Sequence, residues 1–207
     1  MVAEYRVWRW GGCAAMAASL VLAAGCCCGG SSKDTEYSDD FRAVEGVNIF
    51  YQPQRNLGIR TVALVPFRAP TELIGSSVSD MFVTEILKSN RYRLVERSQI
   101  SQVLGETELA LAGVSNAKAM EVGQMTGADA VITGTVSEYE MMAYKGNKFP
   151  TVGVSIRCID SKSGEILWSA DYSKRGDDKN VSLSEHARRV VHSICATLYQ
   201  RGLKVKR

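Results

Sequence analysis

The chain has 207 residues, 45% of them hydrophobic and 23% charged, which leaves room for one ordinary globular domain with extra segments and excludes wholesale disorder. Its 25 Lys and Arg against 22 Asp and Glu give a net charge of +3, too little for a nucleic-acid-binding domain, in which clustered cations meet the phosphates. The one basic cluster, Arg201, Lys204, Lys206 and Arg207, reads as a solvated tail.

Arg6 and Arg9 precede a charge-free run of small and apolar residues from Gly11 to Gly25. The run is too short and too rich in Ala and Gly for a transmembrane helix, which needs about 20 apolar residues, and it reads as a signal peptide. Its end, Leu22-Ala23-Ala24-Gly25-Cys26, resembles the bacterial lipobox, with Ala23 where leucine is commoner. Gly25 favours Cys26 over Cys27 and Cys28, each of which follows another cysteine. The resemblance implies that residues 1–25 are removed and that Cys26 is the lipidation site, its thiol carrying diacylglycerol. Each buried methylene contributes about 0.8 kcal/mol, so two or three acyl chains of the palmitate kind anchor a domain with no protein segment crossing the bilayer. Cys27 follows the anchor where an aspartate would retain the protein at the inner membrane in enteric-type sorting. The implied location is the periplasmic face of the outer membrane. The six cysteines form no disulfide framework: Cys13 leaves with the signal, while Cys158 and Cys195 have apolar neighbours and read as core residues.

Residues 26–59 read as a lipid-anchored polar tether with one short extended segment. Gly29 to Glu45 is polar and aperiodic, and Val47 to Tyr51 is an apolar patch whose role stays open. The domain proper is expected over 60–207. Val62 to Val65 is a continuous apolar run, which suits a strand covered on both faces, closed by Pro66 and Pro70. Ile74, Val78, Met81, Phe82 and Ile86 then recur at helical spacing up to a stop at Asn90, and Tyr92 to Val95 is a second strand. Ser98 can cap a helix carrying Ile100, Val103 and Leu104 on one face. Glu106 to Gly113 is ambiguous. Ser115 caps a helix over Asn116 to Thr126 that Gly127 ends, and Ala130 to Val136 is a buried strand. Val152, Val154, Ile156 and Cys158 alternate with polar residues, as do Ile166, Trp168, Ala170 and Tyr172 beyond the turn Asp160 to Gly164. Together they predict an antiparallel hairpin with Trp168 buried against a helix. A long last helix carries Ala187, Val190, Val191, Ile194 and Leu198 on one face.

The order ALVPF, then GSSVSDMFVTEILKSNRYRLVERSQISQVLGE, then GADAVITGTV, then SIRCIDSKSGEILWSADYS resembles the CsgG/HfaB family of bacterial lipoproteins, best known from curli secretion. The resemblance spans roughly residues 60–200. It implies an α/β fold (an α+β mixed sheet), a three-layer-like periplasmic domain with a C-terminal β-hairpin and a long C-terminal helix. The LpoB-type activators of penicillin-binding proteins share this domain and resemble the sequence at the GEILWS hairpin.

One departure limits the analogy. The curli pore proteins cross the outer membrane with two β-hairpins per subunit, each needing two strands of about 9–11 residues. The matching stretches here, SEYEMMAYKGNKFPT and SKRGDDKNVS, read as short charged loops, with Lys145, Lys148 and Pro150 where lipid-facing apolar residues would be required. No pore is expected from this chain alone.

No catalytic, cofactor-binding or metal motif is present: GxSxG, GxGxxG, GxxxxGK[ST] and HExxH are all missing. His186 and His192, six positions apart, point about 240° from one another on a helix and read as surface residues. Asp177 and Asp178 read as a solvated turn. The expected protein is no enzyme and takes no cofactor. It is a membrane-anchored homo-oligomer acting as a non-pore component of a secretion or surface-assembly system, with an unidentified envelope protein as partner and no nucleic acid. The alternative is a tethered regulatory partner that activates a peptidoglycan synthase. Residues 29–59 reach about 100 Å at about 3.3 Å per residue, without the long proline-rich tether usual in such activators, which favours the first reading. Cys26→Ser should release the protein from membranes. Retention of that variant in the membrane fraction after a high-salt wash would refute lipidation at Cys26.

Overall fold

Four apolar residues in succession cannot leave either side of a strand facing water, and the chain meets this demand with helices on both sides of a sheet. The computed structural model describes residues 43–52, 58–96, 98–102 and 115–203. Its elements are β1 (Asn48–Tyr51), β2 (Thr61–Leu64), α1 (Glu72–Lys88), β3 (Arg93–Leu94), α2 (Asn116–Thr126), β4 (Ala130–Tyr144), β5 (Asn147–Asp160), β6 (Ile166–Arg175) and α3 (Leu183–Leu198), with a short helical stretch at 98–102 and a π-turn at Tyr199–Leu203. The six strands form one mixed sheet in the order β1-β6-β5-β4-β2-β3. The pairs β2–β3 and β2–β4 are parallel; β4–β5, β5–β6 and β1–β6 are antiparallel. This is the expected α/β class, an α+β mixed sheet in three layers.

Alternation along β2 sends its residues into two cores. Val62 and Leu64 join α1 residues Val78, Phe82 and Ile86 and α3 residues Val190, Val191 and Ile194 on one side. Ala63 and Val65 join Ile100, α2 residues Ala119 and Val122, and Val131 on the other. The Asp129 carboxylate accepts the backbone N–H groups of Arg60 and Thr61 at 3.0 and 2.9 Å, which pins the start of β2 to the start of β4.

The local signals act where the sequence places them. The hydroxyls of Thr71, Ser115 and Ser182 accept N–H groups in the first turns of α1, α2 and α3. Asn90 (φ 51°) and Gly127 (φ 68°) take the left-handed conformation after α1 and α2. Trp168, 1% exposed, lies beside Phe82, Ile86, Cys195 and Leu198, and both Cys158 and Cys195 are buried free thiols.

Other expectations need correction. The stretch after Val136 is strand and not loop: β4 runs on to Tyr144 and β5 begins at Asn147. Ser173 to Arg175 likewise belongs to β6. The open segment Val47 to Tyr51 supplies the edge strand β1, whose partner on β6 lies more than a hundred positions away, Asn48 pairing with Asp171. Residues 1–42, Val103, Leu104 and the Glu106 to Gly113 stretch lie outside the described residues.

Gly75 shows how closely α1 meets the chain that leads into it: a Cβ there would sit 2.0 Å from the Phe67 carbonyl oxygen. In an open helix Gly→Ala stabilises by about 1 kcal/mol. Here Gly75→Ala should instead destabilise by about 1–3 kcal/mol, read as a lower denaturant midpoint. A raised midpoint would show that α1 packs less tightly.

Candidate interaction surfaces

The long hairpin begins inside the core and ends outside it. A bulge between Val136 and Glu138 breaks the β4–β5 register, and past it Tyr139 is half-buried whereas Glu140 to Tyr144 are exposed. The two-residue turn Lys145-Gly146 has φ of 48° and 76°, the positive pair that a type I′ hairpin turn requires. Burial contributes little here, so cross-strand pairs hold the ladder. The Arg175 guanidinium lies 4.0 Å from the centre of the Tyr144 ring and 5.8 Å from that of Phe149. The two rings meet edge to face at 6.4 Å, and the Ser173 hydroxyl donates to the Glu138 carboxylate. Met141, Met142 and Tyr144 remain 39%, 39% and 42% exposed.

A second surface lies at the β3 edge of the sheet. Between α1 and β3 runs a groove of about 410 Å³ lined by Leu64, Val83, Leu87 and Leu94, with Asp80 and Glu96. On α1, Leu87 at the groove and Leu73 nearer the start of the helix are both exposed. A third surface is the sheet face that α2 leaves uncovered, where Thr133, Thr135, Ser155, Arg157, Ser169 and Asp171 floor a shallow depression of about 370 Å³.

The two histidines are not the surface residues expected. His186 is buried, and its Nε2 lies 2.8 Å from the Lys174 carbonyl oxygen. His192 is half-buried, and its Nδ1–H donates to Glu85 at 2.9 Å, joining α3 to α1. Glu85 is itself buried and also accepts from Lys88 at 2.6 Å. Burial opposes its charge, but the hydrogen bonds from Lys88 and His192 outweigh that and hold its carboxyl below the ordinary 4.5. Burial, with the Glu85 charge beside it, raises the Cys195 thiol well above its usual range. The two histidines are thus not brought together, and among the described residues no three His, Cys, Asp or Glu side chains are grouped as a metal ion would need. Asp177 and Asp178 are exposed in the loop after β6. Cys26 lies outside the described residues. No described helix is long and apolar enough to cross a membrane.

The domain thus has three layers, an apolar groove at the β3 edge of its sheet and a hairpin that projects beyond the core. The chain belongs to the CsgG family, "curli production assembly/transport component CsgG", whose model matches residues 59–192. Among solved structures it is similar to the PelC dodecamer from Paraburkholderia phytofirmans, at 20% identity and a TM-score of 0.53 over 73% of this chain and 95% of that one. It is similar also to lipoprotein GNA1162 from Neisseria meningitidis, at 23% identity and a TM-score of 0.51 over 65% and 97% of the two chains. The LpoB C-terminal domain from Salmonella enterica matches at 17% identity and a TM-score of 0.43 over 58% and 87%. No curated protein matches the chain. The first two likenesses establish the fold.

A carboxylate held below its ordinary pKa in the fold adds stability at a pH above that ordinary value and loses it as the pH falls through the lowered one. Glu85→Gln should therefore cost more stability at about pH 5 than at about pH 3, measured as the difference between the two proteins in denaturant unfolding. A cost that grows on acidification would contradict the Glu85 clamp.

Proposed function

We propose that the chain is a periplasmic lipoprotein held at the outer membrane by acylated Cys26, working as a non-pore, oligomerising component of a secretion or surface-assembly system. Its membership of the CsgG family over residues 59–192 carries this reading. Two observations support it. The fold is that of a protein solved as a dodecamer, and this chain exposes two unlike surfaces, the hairpin end and the α1–β3 groove, as head-to-tail assembly requires. The domain works beyond residue 60, residues 26–59 serve as tether and edge strand, and its partners are copies of itself and an envelope protein. Nothing in the reading asks for catalysis or a cofactor.

The hairpin does not make a pore of its own. Glu138 and Glu140 lie on one of its faces and Lys148 and Lys174 on the other, as the strand registers set them. A lysine facing lipid at the midplane of a barrel costs about 2–4 kcal/mol. Light scattering on the acylated full chain in detergent should give a mass several times that of one chain, and planar bilayers holding it should show no discrete conductance. A monomer at every concentration would overturn the assembly role in favour of a regulatory partner. Channels that vanish on deletion of residues 140–150 would restore the pore.

A further inference from the structure

The projecting hairpin leaves one side of β4 open. Up to Val136, β4 is flanked on that side by β2 and then by Arg68, whose carbonyl accepts the Val136 N–H at 2.7 Å. From Glu138 to Tyr144 no strand among the described residues pairs with it there. Pro150 shows which backbone groups face the gap. It stands opposite Met141, and its carbonyl accepts the Gly176 N–H at 2.7 Å on the β6 side. Met141 and Pro150 are therefore a pair that exchanges no hydrogen bonds, and the N–H and C=O of Met141 point away from β5. Alternation gives Tyr139 and Ala143 the same outward direction. The two terminal strands of the sheet are short, 4 residues in β1 and 2 in β3. The open edge of β4 is longer, and no proline or lysine guards it between Glu138 and Tyr144.

We propose that this edge of β4 pairs with the same edge of a second copy of the chain, antiparallel about a two-fold axis at Met141. The inference rests on the assembly reading above and names one contact that assembly would use. The register follows from the edge itself. Met141 is the midpoint of Glu138 to Tyr144, so the open stretch of one copy matches that of the other along its whole length, and Arg68 beside Val136 stops any farther overlap. Met141 then exchanges two backbone hydrogen bonds with Met141 of the second copy, and Tyr139 does the same with Ala143 at either end, so every outward group finds a partner. The side chains agree with this register. On one face Tyr139 meets Ala143 and Met141 meets its own copy, where the unbranched thioether adapts readily. On the other face Glu140 meets Met142, and Glu138 meets Tyr144, whose ring has the Lys145 and Arg175 cations 5.3 and 4.0 Å from its centre. An axis at Glu140 would set that carboxylate against itself, which is destabilising, and one at Met142 would set Tyr139 against the turn. The contact is isologous: alone it closes as a dimer, and added to a head-to-tail ring it gives an assembly with two-fold axes. It occupies the β4 edges of both copies, so the hairpins do not link onward through them into a barrel. The type I′ turn and the Arg175–Tyr144–Phe149 stack hold the hairpin in one shape before it pairs, which lowers the ordering cost of association.

Cysteine linkage in the full acylated chain tests this, in detergent, with Cys27→Ser and Cys28→Ser as background and with Cys158 and Cys195 buried. Opposed residues that share hydrogen bonds in such a ladder have Cα atoms about 5.5 Å apart, within reach of a disulfide. Met141→Cys should therefore give a reducible covalent dimer on mild oxidation. Ala143→Cys should not, since its two copies lie about 13 Å apart along the strands, but Ala143→Cys co-produced with Tyr139→Cys should. Met141→Pro removes an outward N–H and spares the ladder to β5. In a dilution series followed by light scattering it should raise the concentration at which the mass falls to half by about tenfold or more. Thermal unfolding of each variant separates lost pairing from lost fold. A wild type that assembles while Met141→Cys stays unlinked overturns the β4–β4 contact and leaves the assembly reading standing, and so does a folded Met141→Pro chain that keeps the wild-type mass on dilution. Linkage of Ala143→Cys alone as strong as that of Met141→Cys overturns the register and the contact with it. A wild type that is monomeric at every concentration removes the assembly reading and this inference together.

Discussion

The architecture depends on burying β2 on both of its faces. Val62, Ala63 and Val65 are fully enclosed and Leu64 nearly so, and each large apolar side chain so buried is worth about 1.5–3 kcal/mol. A strand of this kind needs covered neighbours on both sides. Its parallel partners β3 and β4 supply them, since parallel pairing forces the chain over a face of the sheet between strands. The first such connection lays down α1 and the second carries α2, which fills one core from each side.

The coverage is unequal, and the inequality leaves parts of the sheet open. Both long helices, α1 and α3, pack on one face and enclose the larger core. Among the described residues α2 and the 98–102 stretch take up the other, and on the β4–β5–β6 part of that face Thr, Ser, Arg and Asp side chains line a shallow depression. The antiparallel half of the sheet then runs past the helices altogether. Where burial ends, the hairpin is held by its backbone ladder, a type I′ turn and an arginine over two rings.

Within the larger core the one costly polar group is Glu85. Two cationic or N–H donors from different elements, Lys88 on its own helix and His192 on α3, satisfy a carboxylate that would otherwise be buried uncompensated. The contact fixes how α1 sits against α3, and α1 forms one wall of the groove at the sheet edge. Position and charge at that edge are thus tied to the interior.

Elements whose cause is local were legible in the sequence. The Ser115 cap, the 3.6-residue period and Gly127 specify α2 within a dozen residues, and the apolar run of β2 and the strict alternation of β5 and β6 specify strands whatever surrounds them. What tertiary structure decided has partners far away or no burial to mark it. The role of β1 rests on β6, more than a hundred positions on, and the burial of His186 and His192 rests on the Lys174 carbonyl and on Glu85. Charges on both faces hid the hairpin past Val136, because the pattern that reveals a strand is the pattern of a buried face. A groove has no sequence period at all: Leu64, Val83, Leu87 and Leu94 come from a strand, a helix and another strand, and only their packing makes them one surface.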